Sequence, residues 1–175
     1  MPMASCRTGI LSCRVAFYSL KTYKEKTVIK ILFERFPHSE GLDLPTYATA
    51  GSVGVDLCAA LSDTVILNPG ERVLIPTGFS IAVPEGYEAQ IRSRSGLALK
   101  QKLVVLNSPG TIDQDYRGEV QVILMNHSKE PITLTRGMRI AQMVFAPIVK
   151  VTFDVVKELP IATTRGEGGF GSTGL

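Results

Sequence analysis

The sequence predicts an all-β fold: a sandwich, barrel or jelly roll. Short apolar runs rich in β-branched residues recur along most of the chain, and strong turn signals punctuate them every eight to twelve residues. Val120, Val122 and Leu124 alternate with Gln121, Ile123 and Met125, the period of two that puts alternate side chains on opposite faces of a strand. Only Gly96 to Lys100 reads as a helix, and a short one.

In chain order, strands are expected at Thr27–Phe33, Thr64–Leu67, Arg72–Ile75, Phe79–Val83, Glu88–Arg92, Leu103–Leu106, Glu119–Asn126, Ile132–Leu134, Arg139–Phe145 and Val149–Val156. The breaks between them have a mechanism. Asn68-Pro69-Gly70, Pro84-Glu85-Gly86 and Ser108-Pro109-Gly110 combine the fixed φ of proline with the left-handed freedom of glycine. Asn126-His127-Ser128 and Arg136-Gly137 turn the chain by side-chain hydrogen bonding and by glycine. The stretch from Ser108 to Glu119 reads as a β-hairpin, turned at Ser-Pro-Gly and again at Arg117-Gly118.

A chain of 175 residues fits one domain with a real core. No apolar run reaches membrane-spanning length, so no membrane partner is expected. The formal charge of +3 is unevenly spread. Arg7, Arg14, Lys21, Lys24, Lys26 and Lys30 face Glu25 alone in the first thirty residues, so the rest of the chain carries a small net negative charge. That body has no basic footprint for nucleic acid. Residues 1–26 are expected to be a basic extension outside the fold, either a targeting or regulatory arm or an upstream start. Cys6, Cys13 and Cys58 form no CxxC and have no paired histidines, which argues against disulfides and zinc and for a reducing compartment. Cys58 reads as a small core residue.

Several chemistries are excluded. There is no GxxxxGK[ST] phosphate loop. His38 and His127 stand apart among polar neighbours, which disfavours a Ser-His-Asp triad and makes both surface residues. What remains is carboxylates, arginines and hydroxyls in loops. In Arg92-Ser-Arg-Ser-Gly-Leu-Ala-Leu-Lys100, Ser93 or Ser95 can cap the helix while Arg94 forks across phosphate oxygens. A capped turn with surface arginines is an equally good reading. In the stretch Val105–Gly118, Asp113 could act as a general base and Asn107 could read an amide-like base edge, or Asp113 and Asp115 could merely serve the turn. Spacing alone does not choose. The last eleven residues set Arg165, Phe170, Ser172 and Thr173 among five glycines, a composition suited to wrapping an anion and stacking on a base. A frayed tail is the alternative.

Five segments, in order, turn suggestion into resemblance. They are Ala50-Gly-Ser-Val-Gly-Val-Asp-Leu-Cys-Ala59, Arg94-Ser-Gly-Leu-Ala98, Gly110-Thr-Ile-Asp-Gln-Asp-Tyr-Arg-Gly118, Arg136-Gly-Met-Arg-Ile-Ala-Gln142 and Arg165-Gly-Glu-Gly-Gly-Phe-Gly-Ser172. From about Val28 onward the chain closely resembles the homotrimeric dUTP diphosphatase (dUTPase) family. Each motif alone is weak; five in order are specific.

The resemblance implies a jelly-roll, β-clip type sandwich over residues 27–160, a glycine-rich lid over 161–175, and a homotrimer with sites at subunit boundaries. It implies Mg2+-dependent hydrolysis of dUTP to dUMP and pyrophosphate, in the cytoplasm unless the extension targets an organelle. That reaction supplies dUMP for thymidylate synthesis and keeps uracil out of DNA. By position, Asp113 matches the carboxylate that activates water at the α-phosphorus. Asn107, Thr111 and Ile112 match the uracil slot, Tyr116 the deoxyribose support, and Gln121 a further substrate contact. Arg94, Ser95 and Gly96 match phosphate-binding positions. Asp56 and Gln142 match residues that organise the site and the metal-bound waters, with Mg2+ held by phosphates and water and by no direct protein ligand. Arg165, Phe170, Gly171 and Ser172 match the lid over a neighbouring site.

Four features depart from the family's common pattern. Ser93 stands where proline is usual, which predicts a less rigid approach to the phosphate loop. Gln101-Lys102 replaces a frequent His-Gly, Met138 replaces an acidic surface position, and the extension is additional. Two other functions are alternatives: dCTP deamination on a similar scaffold, which would release ammonia, and a non-catalytic module that holds nucleotides or a partner protein. The Asp113–Tyr116 segment argues for the hydrolase against the first, and Asp113, Arg94 and the tail argue against the second.

Overall fold

A computed structural model describes residues 28–159, 163 and 166–168. The chain divides into two compact units, Met1–Lys30 and Ile31–Leu175. In the first, the described residues 28–30 form no regular element. The second unit is all-β with a single short helix, as the sequence predicts.

Eleven strands are present among the described residues: β1 Leu32–Arg35, β2 Val55–Cys58, β3 Val65–Leu67, β4 Arg72–Pro76, β5 Phe79–Ala82, β6 Tyr87–Arg92, β7 Leu103–Val105, β8 Gly110–Ile112, β9 Gln121–Asn126, β10 Ile132–Leu134 and β11 Arg139–Pro147. A 3-10 turn, Pro37–Ser39, follows β1, and helix α1, Ser95–Gln101, follows β6. All ladders are antiparallel. Two principal sheets run β2-β11-β6-β8 and β4-β9-β7, and two small ones pair β1 with β5 and β10 with β3. One buried cluster draws on both principal sheets: Leu57, Ile91 and Met143 from the first, Ile75, Val122, Leu124, Leu103 and Val105 from the second. Each such side chain removed from water contributes about 1.5–3 kcal/mol, so this layer is what holds the sheets together. β9 shows the predicted alternation directly, with Val122 and Leu124 buried and Gln121 exposed.

Four expectations are corrected. No ladder joins β8 to β9: β8 pairs with β6, and β9 pairs with β4 and β7, so the segment between them crosses from one principal sheet to the other and is not a hydrogen-bonded hairpin. The apolar run at Val149–Val156 forms no strand; no strand among the described residues pairs with it, and its side chains are exposed. Met138 is half-buried and packs against the core, so its replacement of an acidic residue is not a surface matter. Cys58 is also only half-buried; burial, with the Asp56 carboxylate beside it, pushes its thiol up, so it stays protonated at neutral pH.

The turn after α1 is closed by Lys102, which adopts the left-handed conformation (φ 55°) and donates its N–H to Leu97 O. A side chain with a Cβ is strained there, which is why glycine is the common residue at such helix ends. Lys102→Gly is therefore expected to stabilise the fold by about 1 kcal/mol, read as a rise in the thermal midpoint.

Candidate active site

The first group of predicted residues converges where β2, β11 and the end of β6 lie side by side. Gln142 on β11 pairs across the ladders with both Asp56 on β2 and Arg92 on β6. Two residues beyond Arg92, Arg94 turns back to Asp56, its Nε and Nη2 donating to the two carboxylate oxygens at 2.9 and 3.3 Å. Arg139 donates to Asp56 Oδ2 at 3.1 Å, and Arg94 also donates to the Arg139 carbonyl at 3.2 Å. One carboxylate thus holds two guanidiniums in place and cancels one of them, leaving net positive charge. Asp56 and Arg94, though not Arg139, open on a surface cavity of about 490 Å3 lined also by Ser95, Gly96 and Gln142, with Gly54, Lys100 and Gln101 on its walls. An anion is the ligand such a wall favours.

Ser93 is where proline was expected to matter, and the structure shows what replaces it. Its Oγ accepts the Val105 N–H at 2.9 Å, its carbonyl accepts Gln142 Nε2 at 3.0 Å, and its own N–H reaches Ser108 Oγ at 3.4 Å. Hydrogen bonds therefore tether the approach to α1. They also overturn the capping expectation: the N-cap of α1 is Arg94, with no side-chain cap hydrogen bond, because the Ser93 hydroxyl is spent on β7.

Two residues of this group were missed as site residues. Arg139 lay inside a quoted motif, but only the fold reveals that it shares Asp56 with Arg94. Gly54 has no room for a side chain: a Cβ there would stand 2.8 Å from Gln142 Oε1 and 3.3 Å from Val144 Cγ2. Gly54→Ala is expected to displace the Gln142 carboxamide from Ser93 and reduce kcat about tenfold, with a small change in melting temperature. Steady-state kinetics alongside thermal melts would check this.

The second group lies elsewhere on the chain. Asn107, Thr111, Asp113, Tyr116 and Gln121 are exposed and Ile112 is half-buried. Asn107 packs against Gly110, where a Cβ would approach its Nδ2 to 3.0 Å. The Tyr116 hydroxyl donates to the Glu119 carbonyl at 3.0 Å, and its ring covers Gly118. None of these residues lines the cavity of the first group. The register explains why. Thr111 lies opposite Gln90, so Asp113 leaves β8 at the level of Glu88, whereas the cavity begins at the level of Arg92 on the far side of β6. That is roughly 13 Å along the strands and about 10 Å across two strand spacings. Within one chain, Asp113 and the cavity stand apart. Of the third group, Arg165, Phe170, Gly171 and Ser172 lie outside the described residues.

The dUTPase family model matches residues 40–174. The chain belongs to the dUTPase family. It is 57% identical over 143 residues, 81% of this chain and 91% of the relative, to the deoxyuridine 5'-triphosphate nucleotidohydrolase of Rhizobium rhizogenes. Its fold is similar to that of a Staphylococcus bacteriophage 80alpha dUTPase variant solved with dUpNHpp, with a TM-score of 0.72, 27% identity, and coverage of 85% of this chain and 100% of that one. A dUTPase of phage phi11 of S. aureus, solved with a structural Mg(II) ion, is similar in fold with a TM-score of 0.67 and 24% identity, covering 76% of this chain and 100% of that one. Family and fold together make this dUTPase-family chain a hydrolase with the jelly-roll architecture expected from the sequence. No helix among the described residues is long and apolar enough to cross a membrane.

Proposed function

We propose that this chain hydrolyses dUTP to dUMP and pyrophosphate in a site shared between copies of a homotrimer. The observation that carries the reading is the cationic cavity in which Arg94, Ser95 and Gly96 meet Asp56 and Gln142. It is shaped and charged for phosphates but lacks both a base and a base-recognition surface. Those belong to the second group, whose exposed Asn107, Thr111, Asp113 and Tyr116 and half-buried Ile112 lie away from the cavity on the same chain. A nucleotide can meet both groups only if one copy brings its cavity to another's Asp113.

In that site the uracil ring would lie against Asn107, Thr111 and Ile112, in a slot that would exclude a 5-methyl group. Tyr116 would support the deoxyribose where a 2′-hydroxyl has no room, and Gln121 would add a substrate contact. Arg94, Ser95 and Gly96 would hold the phosphates. Asp113 would take the proton of a water as its oxygen attacks the α-phosphorus, and the bond to the pyrophosphate leaving group would break. The residues also suit Mg2+ carried on the triphosphate. The Asp56 carboxylate and the Gln142 Oε1 present acceptors to metal-bound water, while no group of three or more His, Cys, Asp or Glu among the described residues could hold an ion unaided. Bound Mg2+ would neutralise phosphate charge. Arg165, Phe170, Gly171 and Ser172 would close over the nucleotide.

Pyrophosphate release from dUTP, dTTP, UTP and dCTP tests the reading. Hydrolysis of dUTP with the other three left largely intact is expected. Ammonia release from dCTP, or no turnover by folded protein, would overturn it.

A further inference from the structure

The turn that carries Tyr116 is anchored from outside by a side chain that the proposed chemistry does not use. Glu119 is largely buried, with its side chain 20% exposed. Its Oε1 accepts the Gly78 N–H at 2.7 Å and lies 2.8 Å from His38 Nε2. Both partners are themselves fixed. Gly78 sits at φ 76° between β4 and β5, so close to Ser39 that no Cβ would fit. The carbonyl of His38 accepts from Arg136 at 2.9 Å, and the same guanidinium holds Glu40 O at 2.7 Å. The backbone of Glu119 is the other half of the device: its carbonyl receives the Tyr116 hydroxyl. Val120, next along, is fully buried and bonded to Phe79.

A glutamate next to a glycine on an exposed turn would ordinarily point to water. Here it makes two hydrogen bonds to elements 41 and 81 residues away in sequence, one of them to a backbone N–H. We propose that Glu119 is a positioning residue for sugar selectivity, holding the carbonyl on which the Tyr116 hydroxyl rests and so the height of the ring under the deoxyribose. This rests on the reading of Tyr116 as the sugar support. Loss of the carboxylate frees the Tyr116–Glu119 turn to shift, which opens space for a 2′-hydroxyl while leaving Asp113 and the cavity in place. Selectivity between two substrates therefore changes more than turnover of the better one.

The experiment compares kcat/KM for dUTP and UTP in the wild type, Glu119→Ala, Glu119→Gln, His38→Ala and Tyr116→Ala, each with a thermal melt. Glu119→Ala is expected to raise UTP turnover relative to dUTP about tenfold. Glu119→Gln, which keeps the acceptor for Gly78, is expected to restore most of the wild-type ratio, and His38→Ala to lie between. A general loss of stability would depress both substrates together and leave the ratio unchanged; that result in Glu119→Ala overturns the proposal. Should Glu119→Ala fail to fold, His38→Ala decides, and an unmoved ratio there counts against the role. If Tyr116→Ala itself leaves the ratio unmoved, the reading of Tyr116 fails and the proposal falls with it. A ratio that moves with Tyr116 but not with Glu119 overturns this proposal alone.

Discussion

Asp113→Asn is expected to reduce kcat for dUTP by about a thousandfold while leaving the fold and nucleotide affinity close to those of the wild type. Asp113 is exposed just beyond β8 and makes no ion pair among the described residues, so an isosteric amide there disturbs little of the fold. What it removes is the basicity of the carboxylate. An amide oxygen can still accept a hydrogen bond from water and orient it, but it cannot take the proton as the new P–O bond forms. The effect should therefore fall on kcat and not on KM. Single-turnover hydrolysis together with binding of dUpNHpp, which reports affinity separately, distinguishes the two. Undiminished turnover would assign the base elsewhere and favour a role for Asp113 in the turn alone.

Phe153→Lys is expected to convert the assembly to monomers and to abolish most turnover. In the isolated chain this residue is 90% exposed, and Val149, Val151 and Val155 at alternate positions are exposed as well. The alternation is that of a strand, yet no strand among the described residues pairs with it. Were the segment always in water, replacing one exposed side chain by lysine would change stability by no more than about 0.5 kcal/mol. If another copy covers that face, three lysines per trimer enter a desolvated interface, at several kcal/mol each. On the proposed reading, in which Asp113 and the cationic cavity meet only across copies, dissociation would remove activity even from a well-folded subunit. Analytical ultracentrifugation, circular dichroism and turnover measured on one preparation would decide. A trimer of wild-type activity would show that the segment is not part of the interface.

The fold was legible where a strand is buried by its own chain. β9 and β10 follow the apolar pattern closely, because one face of each meets the core and the other meets solvent. β2 was not marked as a strand, since Val55–Cys58 adjoins a run of glycine and small residues that reads as motif and loop. The error at Val149–Val156 has the opposite cause: the pattern is that of a strand, but the described residues of this chain offer it no strand to pair with. The expected hairpin at Ser108–Glu119 failed for a topological reason. Turn residues mark where the chain bends but not which neighbour receives its hydrogen bonds, and β8 found β6.

The sequence by itself determined the all-β class, the short helix after Arg94, the family, and the residue types that phosphate binding and proton transfer require. These depend on local periodicity, turn chemistry and the order of motifs, all of which are written along the chain. Only the tertiary structure decided which of those residues meet. It joined Arg94 and Arg139 through Asp56, replaced the rigidity of a proline with the hydrogen bonds of Ser93, and placed Glu119 against Gly78 and His38. It also set Asp113 apart from the cavity. Ladder register and long-range side-chain contacts make those decisions, because they depend on strand neighbours far apart in sequence that no local pattern encodes.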